Sequence, residues 1–390
     1  MRSIVKLATP VAAAALLLAA CGTTGGDSDD TAASAGSSGD CLDGASIGFF
    51  GALTGANANL GVNIRNGVEL AVNQHNAEAD ACQIAITDYD SQGLPEQATG
   101  LATQAAGDEK VLGIVGPAFS GESKVADPIL AEAGLVGVTP SATNPALSEN
   151  GWETFFRVLG NDASQGPAAA SYITDTLGKS KVYVIDDASE YGKGLADIVR
   201  TDLGASDVKD NTVQTGQTDF SAVVSDIRSS GADAVFYGGY YSEAGLLLKQ
   251  IRDAGLTADQ VAFVTDDGAK DDGLITAAGT EAAEGTFITC PCLPPDKAGG
   301  SFVADYTAAY GSAPATYSAE GYDAAKILVD GIASGATTRE DLLDFVKNYD
   351  EAGVTKQLKF DDKGEPSAIS VWAYKVENGE IVADQEIKTS

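Results

Sequence analysis

The sequence predicts an α/β fold of two doubly wound parallel-sheet lobes joined by a multi-strand hinge. Three observations predict it. From residue 45 onward, short apolar segments alternate with amphipathic helical stretches, the pattern of parallel sheets covered by helices. The apolar segments are too many for one compact open sheet, and "GNDASQGPAAAS" (160–171) interrupts them midway. The length of 390 residues also suits two domains better than one.

The elements follow in order. Arg2 and Lys6 precede the apolar run "VAAAALLLAA", which is too short to span a bilayer but suits the core of a signal peptide. The run ends in Leu18-Ala19-Ala20-Cys21, which resembles a bacterial lipobox, and that resemblance makes Cys21 the lipid-bearing first mature residue. Residues 22–40, "GTTGGDSDDTAASAGSSGD", have no large apolar side chain and read as a flexible tether, with a coil span of roughly 25 Å. Strands are expected at 46–50, 84–88, 111–115 and 135–138, then at 181–186, 211–214, 233–237, 261–265 and 285–289. Between them lie helical patterns such as "LGVNIRNGVELAVNQHNA" and "YGKGLADIVRTDLGA". A helix is expected to start at Pro145, with Asn144 as its N-cap. The chain then reads as helical over 298–310, 318–333 and 338–347, and finishes with the strands "KQLKFD" and "ISVWAYKV". The implied division is a signal peptide (1–20), a lipidated cysteine and tether (21–43), one lobe from 44–161 with 291–366, and a second from 162–290 with 367–390.

Charge removes whole classes of function. Lys and Arg number 24 against 56 Asp and Glu, a formal net charge of −32. Nucleic-acid binding requires positive charge against phosphates, and an anionic membrane surface would repel this chain. The expected membrane attachment is through the lipid alone. Export puts the cysteines in an oxidising compartment. Cys41 and Cys82 each stand just ahead of an apolar strand, and adjacent parallel strands would bring the two together. Cys290 and Cys292 then pair with each other or stay reduced. With no neighbouring histidine, this Cys-x-Cys does not read as a metal site, and neither a metal nor a cofactor is expected.

Catalytic motifs fail on inspection. "GASIG" (44–48) has the letters of a nucleophile elbow, but Ser46 begins a strand instead of following one. "LGKSK" lacks the earlier glycine of a phosphate-binding loop, because Ile173 stands there. His75, the only histidine, reads as a solvated surface residue. No nucleophile–base pair emerges, and an enzyme is not expected.

A different constellation does emerge at the strand ends. Ser120 follows the strand "VLGIVG", and Ser141, Ala142 and Thr143 follow the next. In the second half, Tyr240 and Tyr241 follow the apolar strand of "DAVFYGGYYSEAG", and Asp266 and Asp267 follow that of "AFVTDDGA". Ligands of open α/β sheets bind at the carboxyl ends of strands. Hydroxyls and helix N-termini on one lobe suit a carboxylate, while an acid and aromatics on the other suit an ammonium group. Together they outline an α-amino acid.

At these residues the chain closely resembles the periplasmic leucine/isoleucine/valine-binding proteins of ABC importers, which have the type I periplasmic binding protein fold. The resemblance runs over nearly all of 45–375 and is carried by segments in one order, among them "GALTGANANLG", "TPSATNPALSENGWETFFRVLGNDASQGPAAA" and "DFSAVVSDIRSSGADAVFYGGYYSEAGLLLKQIRDAGL". It implies that Ser120 and Thr143 hold a ligand carboxylate and that Ser141 offers its carbonyl to the ammonium group. Tyr191 and Tyr240 would line the second lobe. The family's ammonium-binding glutamate falls on Asp267, one methylene shorter, and the family's first-loop aromatic falls on Leu60. The expected protein is a monomeric, lipid-anchored receptor on the extracytoplasmic face of a bacterial membrane, closing on a branched-chain amino acid and presenting it to an ABC permease. Rival readings are a receptor for urea, short amides or aromatic acids, and a ligand-sensing module without transport.

Overall fold

The computed structural model describes residues 42–388. The segments read as a signal peptide and tether, with Cys21 and Cys41, lie outside the described residues. In chain order the elements are β1 (Ser46–Gly51), α1 (Ala58–Asn76), β2 (Ala85–Asp90), α2 (Pro95–Gly107), β3 (Val111–Val115), α3 (Ser120–Glu132), β4 (Val136–Thr139) and β5 (Phe155–Arg157). Then come α4 (Asp162–Ser171), β6 (Val182–Asp186), α5 (Glu190–Leu203), β7 (Asp207–Thr212), α6 (Ser221–Ser230), β8 (Ala234–Gly238), α7 (Tyr241–Asp253) and β9 (Ala262–Thr265). The remainder is α8 (Asp272–Ala278), α9 (Thr280–Ala283), β10 (Phe287–Cys290), α10 (Phe302–Tyr310), α11 (Ser318–Ala333), α12 (Arg339–Lys347), β11 (Asp350–Ala352), β12 (Gln357–Lys359), β13 (Val371–Glu377) and β14 (Glu380–Ile387).

Two sheets result. The first has the order β2-β1-β3-β4-β5, all parallel. Its strand order reverses between β1 and β3, so the loops after β1, β3 and β4 flank a crevice at their carboxyl ends. The second has the order β14-β13-β10-β9-β8-β6-β7, parallel from β10 to β7, with β13 and β14 added antiparallel at one edge. Its crevice opens after β6, β8 and β9. The central strands β1, β3, β6 and β8 are buried throughout, as strands covered by helices on both faces must be.

The chain crosses from the first sheet to the second after β5, returns after β10, and crosses again between β12 and β13. The first of these crossings lies against the other two. A Cβ placed on Gly160 would lie 3.5 Å from the Cβ atoms of both Pro291 and Ile369.

Helix α1 shows how sequence sets packing here. Its Gly61 runs against the loop after β1, where a Cβ would come within 1.7 Å of the Ala52 carbonyl oxygen. Its Gly67 meets the start of α11, where a Cβ would come within 2.1 Å of the Ser318 carbonyl oxygen. These close approaches turn Leu60 and Ile64, both buried, toward the crevice.

The structure departs from the sequence reading mainly at edges. The helix expected at Pro145 is a short 3₁₀ helix, Pro145–Asn150, in which the Asn144 side chain accepts from the Ala146 N–H at 2.9 Å, as an N-cap should. Strand β7 starts four residues earlier than the expected 211 and is largely exposed; β5 and β14 carried no strand signal at all. "KQLKFD" supplies only β12, half of a small hairpin with β11. His75 is half-buried, with Nε2 2.9 Å from the Cys82 carbonyl oxygen. Cys290 and Cys292 form a disulfide on the second crossing, and Cys82 is also disulfide-bonded.

Candidate functional site

The loops of the two sheets face each other and line a small cavity. Six residues singled out from sequence line it: Leu60, Ser120, Ser141, Tyr191, Tyr240 and Asp267. Ile64, Ala118, Phe119, Gly268 and Tyr317 complete the lining. Ala142 and Thr143 stand behind that wall.

The first-sheet side is a rigid bed of hydroxyls. Ser120 is the first residue of α3, at the end where unpaired N–H groups and the helix dipole favour negative charge. Its Oγ accepts from the Asn144 N–H at 3.3 Å, which ties α3 to the loop after β4. The Ser141 hydroxyl donates to the Ala118 carbonyl at 2.7 Å, and Thr139 donates to the Pro117 carbonyl at 2.7 Å. Beneath them Arg157, with no solvent exposure, donates to the carbonyls of Ala142 (2.8 Å) and Asn144 (3.1 Å) and pairs with Glu365 at 2.9 Å. The Ala142 carbonyl therefore faces Arg157. Thr143 is fully buried, its hydroxyl beside the Asp162 carboxylate.

The second-sheet side carries the charge. Asp267, in the turn after β9, is 1% exposed. The Tyr191 hydroxyl donates to its Oδ1 at 2.6 Å and accepts from the Gly268 N–H at 3.0 Å. The Tyr317 hydroxyl donates to Oδ2. Tyr240 lies between Tyr191 and Phe119 in tilted ring contacts, with centroids 5.3 and 5.4 Å away. Burial pushes the Asp267 carboxyl above its ordinary value, against the two tyrosine hydrogen bonds that pull it down. Its neighbour Asp266 is driven well above the usual range by burial and then by the Asp267 charge. Asp162, fully buried at the start of α4, is pushed up to about 8 by burial and then by the Asp267 charge, against the Thr143 hydroxyl and the Arg157 charge that pull it down.

Three residues escaped the sequence reading. Phe119 sits in a loop already singled out, but its contact with Tyr240 exists only across the cavity. Asp162 lies in the segment read only as a break between lobes. Tyr317 belongs to no strand-end motif; it holds φ of +67° at the start of α11, a left-handed conformation that costs a bulky residue energy. Only that unusual backbone would flag it, and sequence does not reveal it.

The arrangement binds rather than reacts. Buried carboxylates gain most from a cation that neutralises them, and the facing hydroxyls and helix N-terminus suit an anion. Leu60, Ile64 and Phe119 leave an apolar wall between those poles.

A family model described as periplasmic binding protein matches residues 45–380. An "Amino acid binding protein" of Pseudomonas aeruginosa is 34% identical over 340 residues, 85% of this chain and 89% of that protein. "Leu/Ile/Val-binding protein homolog 1" of Brucella suis is 34% identical over 339 residues, 84% of this chain and 89% of that protein. Among solved structures, the branched-chain amino acid transporter substrate-binding protein LivJ of Streptococcus pneumoniae, in complex with isoleucine, superposes with a TM-score of 0.81 at 29% identity, covering 87% of this chain and 99% of that one. Matched in sequence across most of its length and in fold across two sheets that close on a polar cavity, the chain belongs to the periplasmic binding protein family, whose members bind solutes and are not enzymes.

Proposed function

We propose that this protein is the extracytoplasmic substrate-binding component of an ABC importer and that it captures a branched-chain or related aliphatic amino acid. The observation that carries the reading is the Asp267 carboxylate, buried and fixed by two tyrosines, facing Ser120 and Ser141 across a small cavity with an aliphatic wall. An α-ammonium group meets Asp267, the α-carboxylate meets the hydroxyls and N–H groups at the start of α3, and the side chain lies on Leu60 and Ile64. Tyr191 and Tyr240 close the second side. The relatives that bind leucine, isoleucine or valine by name support this class of ligand.

Capture proceeds by closure of two lobes, 44–161 with 291–366 and 162–290 with 367–390, hinged on the three crossings near Gly160, Pro291 and Ile369. Contacts across the cleft support it: Asn59 donates to Asp271 at 2.8 Å, Asn144 donates to the Glu190 carbonyl at 2.9 Å, and Lys124 pairs with Glu190 at 2.7 Å. Ligand favours this closed state because Asp267 and Ser120 can grip it together only here. A permease reads the closed form. Cys21 carries the lipid anchor, Cys41 pairs with Cys82, and the protein works as a monomer.

The test is a thermal-shift panel on the soluble form from residue 22, with the twenty amino acids, urea and short amides. A ligand at 100 times its dissociation constant adds about 2.7 kcal/mol of stability. Stabilisation by leucine, isoleucine or valine is expected; stabilisation by amides alone, or by nothing, would remove the amino-acid reading.

A further inference from the structure

The turn that carries Asp267 continues into Lys270, a residue outside the cavity lining. Lys270 is 5% exposed, and its backbone N–H donates to the Asp267 carbonyl at 3.1 Å, closing the turn. Its ammonium group lies 4.2 Å from the centroid of the Tyr374 ring on β13 and donates to Thr316 Oγ1 at 3.2 Å. The Thr316 hydroxyl in turn donates to the Lys270 carbonyl. Thr316 is also buried, and it immediately precedes Tyr317, whose hydroxyl holds Asp267.

Lys270, in the turn after β9, and Tyr374, on β13, lie on the side of the second sheet. Thr316 and Tyr317 lead into α11, which packs on α1, β3 and β4 of the first. The Lys270–Thr316 pair is therefore a contact between the two halves, one residue away from Tyr317 and three from Asp267. Opening the cleft would part Thr316 from Lys270 and return the amine to water through the groove beside Asn59 and Pro314.

We propose that Lys270 is a positioning residue for the binding site: its amine is sealed between Thr316 and Tyr374 only when the two halves close, so closure, and with it ligand affinity, is linked to the proton on that amine. This inference rests on the closure reading above.

The electrostatics give the sign. Burial lowers the Lys270 amine from its ordinary 10.5 to about 8, against Glu320 on α11, Asp271 on its own segment, Asp272 on α8 and Asp267, all of which favour its charged form. The amine in water keeps its proton to higher pH, so closing between those values releases one. Rising pH through that window favours closure; below it the amine is charged in both states and the effect levels off.

The experiment is calorimetric titration with L-leucine at pH 7, 8 and 9, on the unaltered protein and on Lys270→Met, which keeps the stem against Tyr374 but cannot titrate. The ligand's own ammonium group titrates alike in both, so the ratio of the two dissociation constants isolates Lys270. Affinity of the unaltered protein relative to the variant should rise about tenfold between pH 7 and pH 9. A ratio constant across that range overturns the proposal. Lys270→Arg, which keeps its charge throughout, is the second comparison should the Met variant not fold, and the same rise against it is expected. L-leucine failing to bind the unaltered protein at every pH would strike the amino-acid reading instead. The pH series would then be run by small-angle scattering on ligand-free protein. A compact fraction that rises with pH only in the unaltered chain supports the Lys270 proposal, and one that moves identically in both chains refutes it.

Discussion

The Tyr317 hydroxyl donates to the Asp267 carboxylate across the gap between the two sheets, joining residues 50 positions apart in sequence. Tyr191 holds the other carboxylate oxygen from the second sheet's own side, at 2.6 Å. The buried carboxylate is thus clamped from both halves at once.

Removing that charge tests the site most directly. Asp267→Asn keeps the shape and one of the two tyrosine donations, since its amide nitrogen cannot accept the other, and it cannot neutralise an ammonium group. Affinity for the amino acid found by thermal shift should fall by roughly 2–5 kcal/mol, the cost of losing one partner of a buried charge pair. Calorimetry reads this directly, and unchanged affinity would remove Asp267 from the ligand.

Tyr317→Phe deletes one hydroxyl and leaves the ring in place. A hydrogen bond to a charged group contributes about 1.5–3 kcal/mol, so binding should weaken within that range. Because Tyr317 helps hold the halves together, the loss should appear mainly as faster dissociation in stopped-flow fluorescence. A slower association rate with unchanged dissociation would contradict the clamp.

Asp162 makes stability depend on pH. Its carboxyl, raised from 3.8 to about 8 in the fold, binds a proton in the native state that the unfolded chain has already lost. Native stability from this group therefore falls as pH rises through that interval. Asp162→Asn should raise the melting temperature of ligand-free protein at pH 8 by several degrees and change it little at pH 4. Equal shifts at both pH values would show that the carboxyl does not titrate there.

Gly61→Ala tests the packing that sets the aliphatic wall. The added methyl group would meet the Ala52 carbonyl oxygen at 1.7 Å, so α1 must move. Overpacking of this kind costs about 1–3 kcal/mol, occasionally more. Denaturant unfolding should show the loss, and affinity should fall as well because Leu60 and Ile64 ride on the same helix. A variant of normal stability would mean that α1 has room to shift.

Much of this was legible locally. An apolar run that stops at Ser120, Ser141, Tyr240 or Asp267 announces a strand whose carboxyl end is polar, and a parallel sheet gathers such ends at one crevice. Edge strands were harder to see. β7 and β14 are exposed and paired at the margin of a sheet, so no alternation of apolar residues marks them.

The sequence by itself determined the fold class, the loops that form the crevice, and the opposition of a hydroxyl-rich half to an acidic, aromatic one. Those properties depend on period and on residues within a few positions of each other. Tertiary structure alone decided which side chains meet. Tyr317 reaches Asp267 because α11 lies close on α1, at Gly67 and Gly321, where a Cβ on either would strike backbone. Phe119 meets Tyr240, and Lys270 meets Thr316, only because two separately formed sheets face each other. Such contacts join distant parts of the chain and are selected by burial and shape, which no local pattern records.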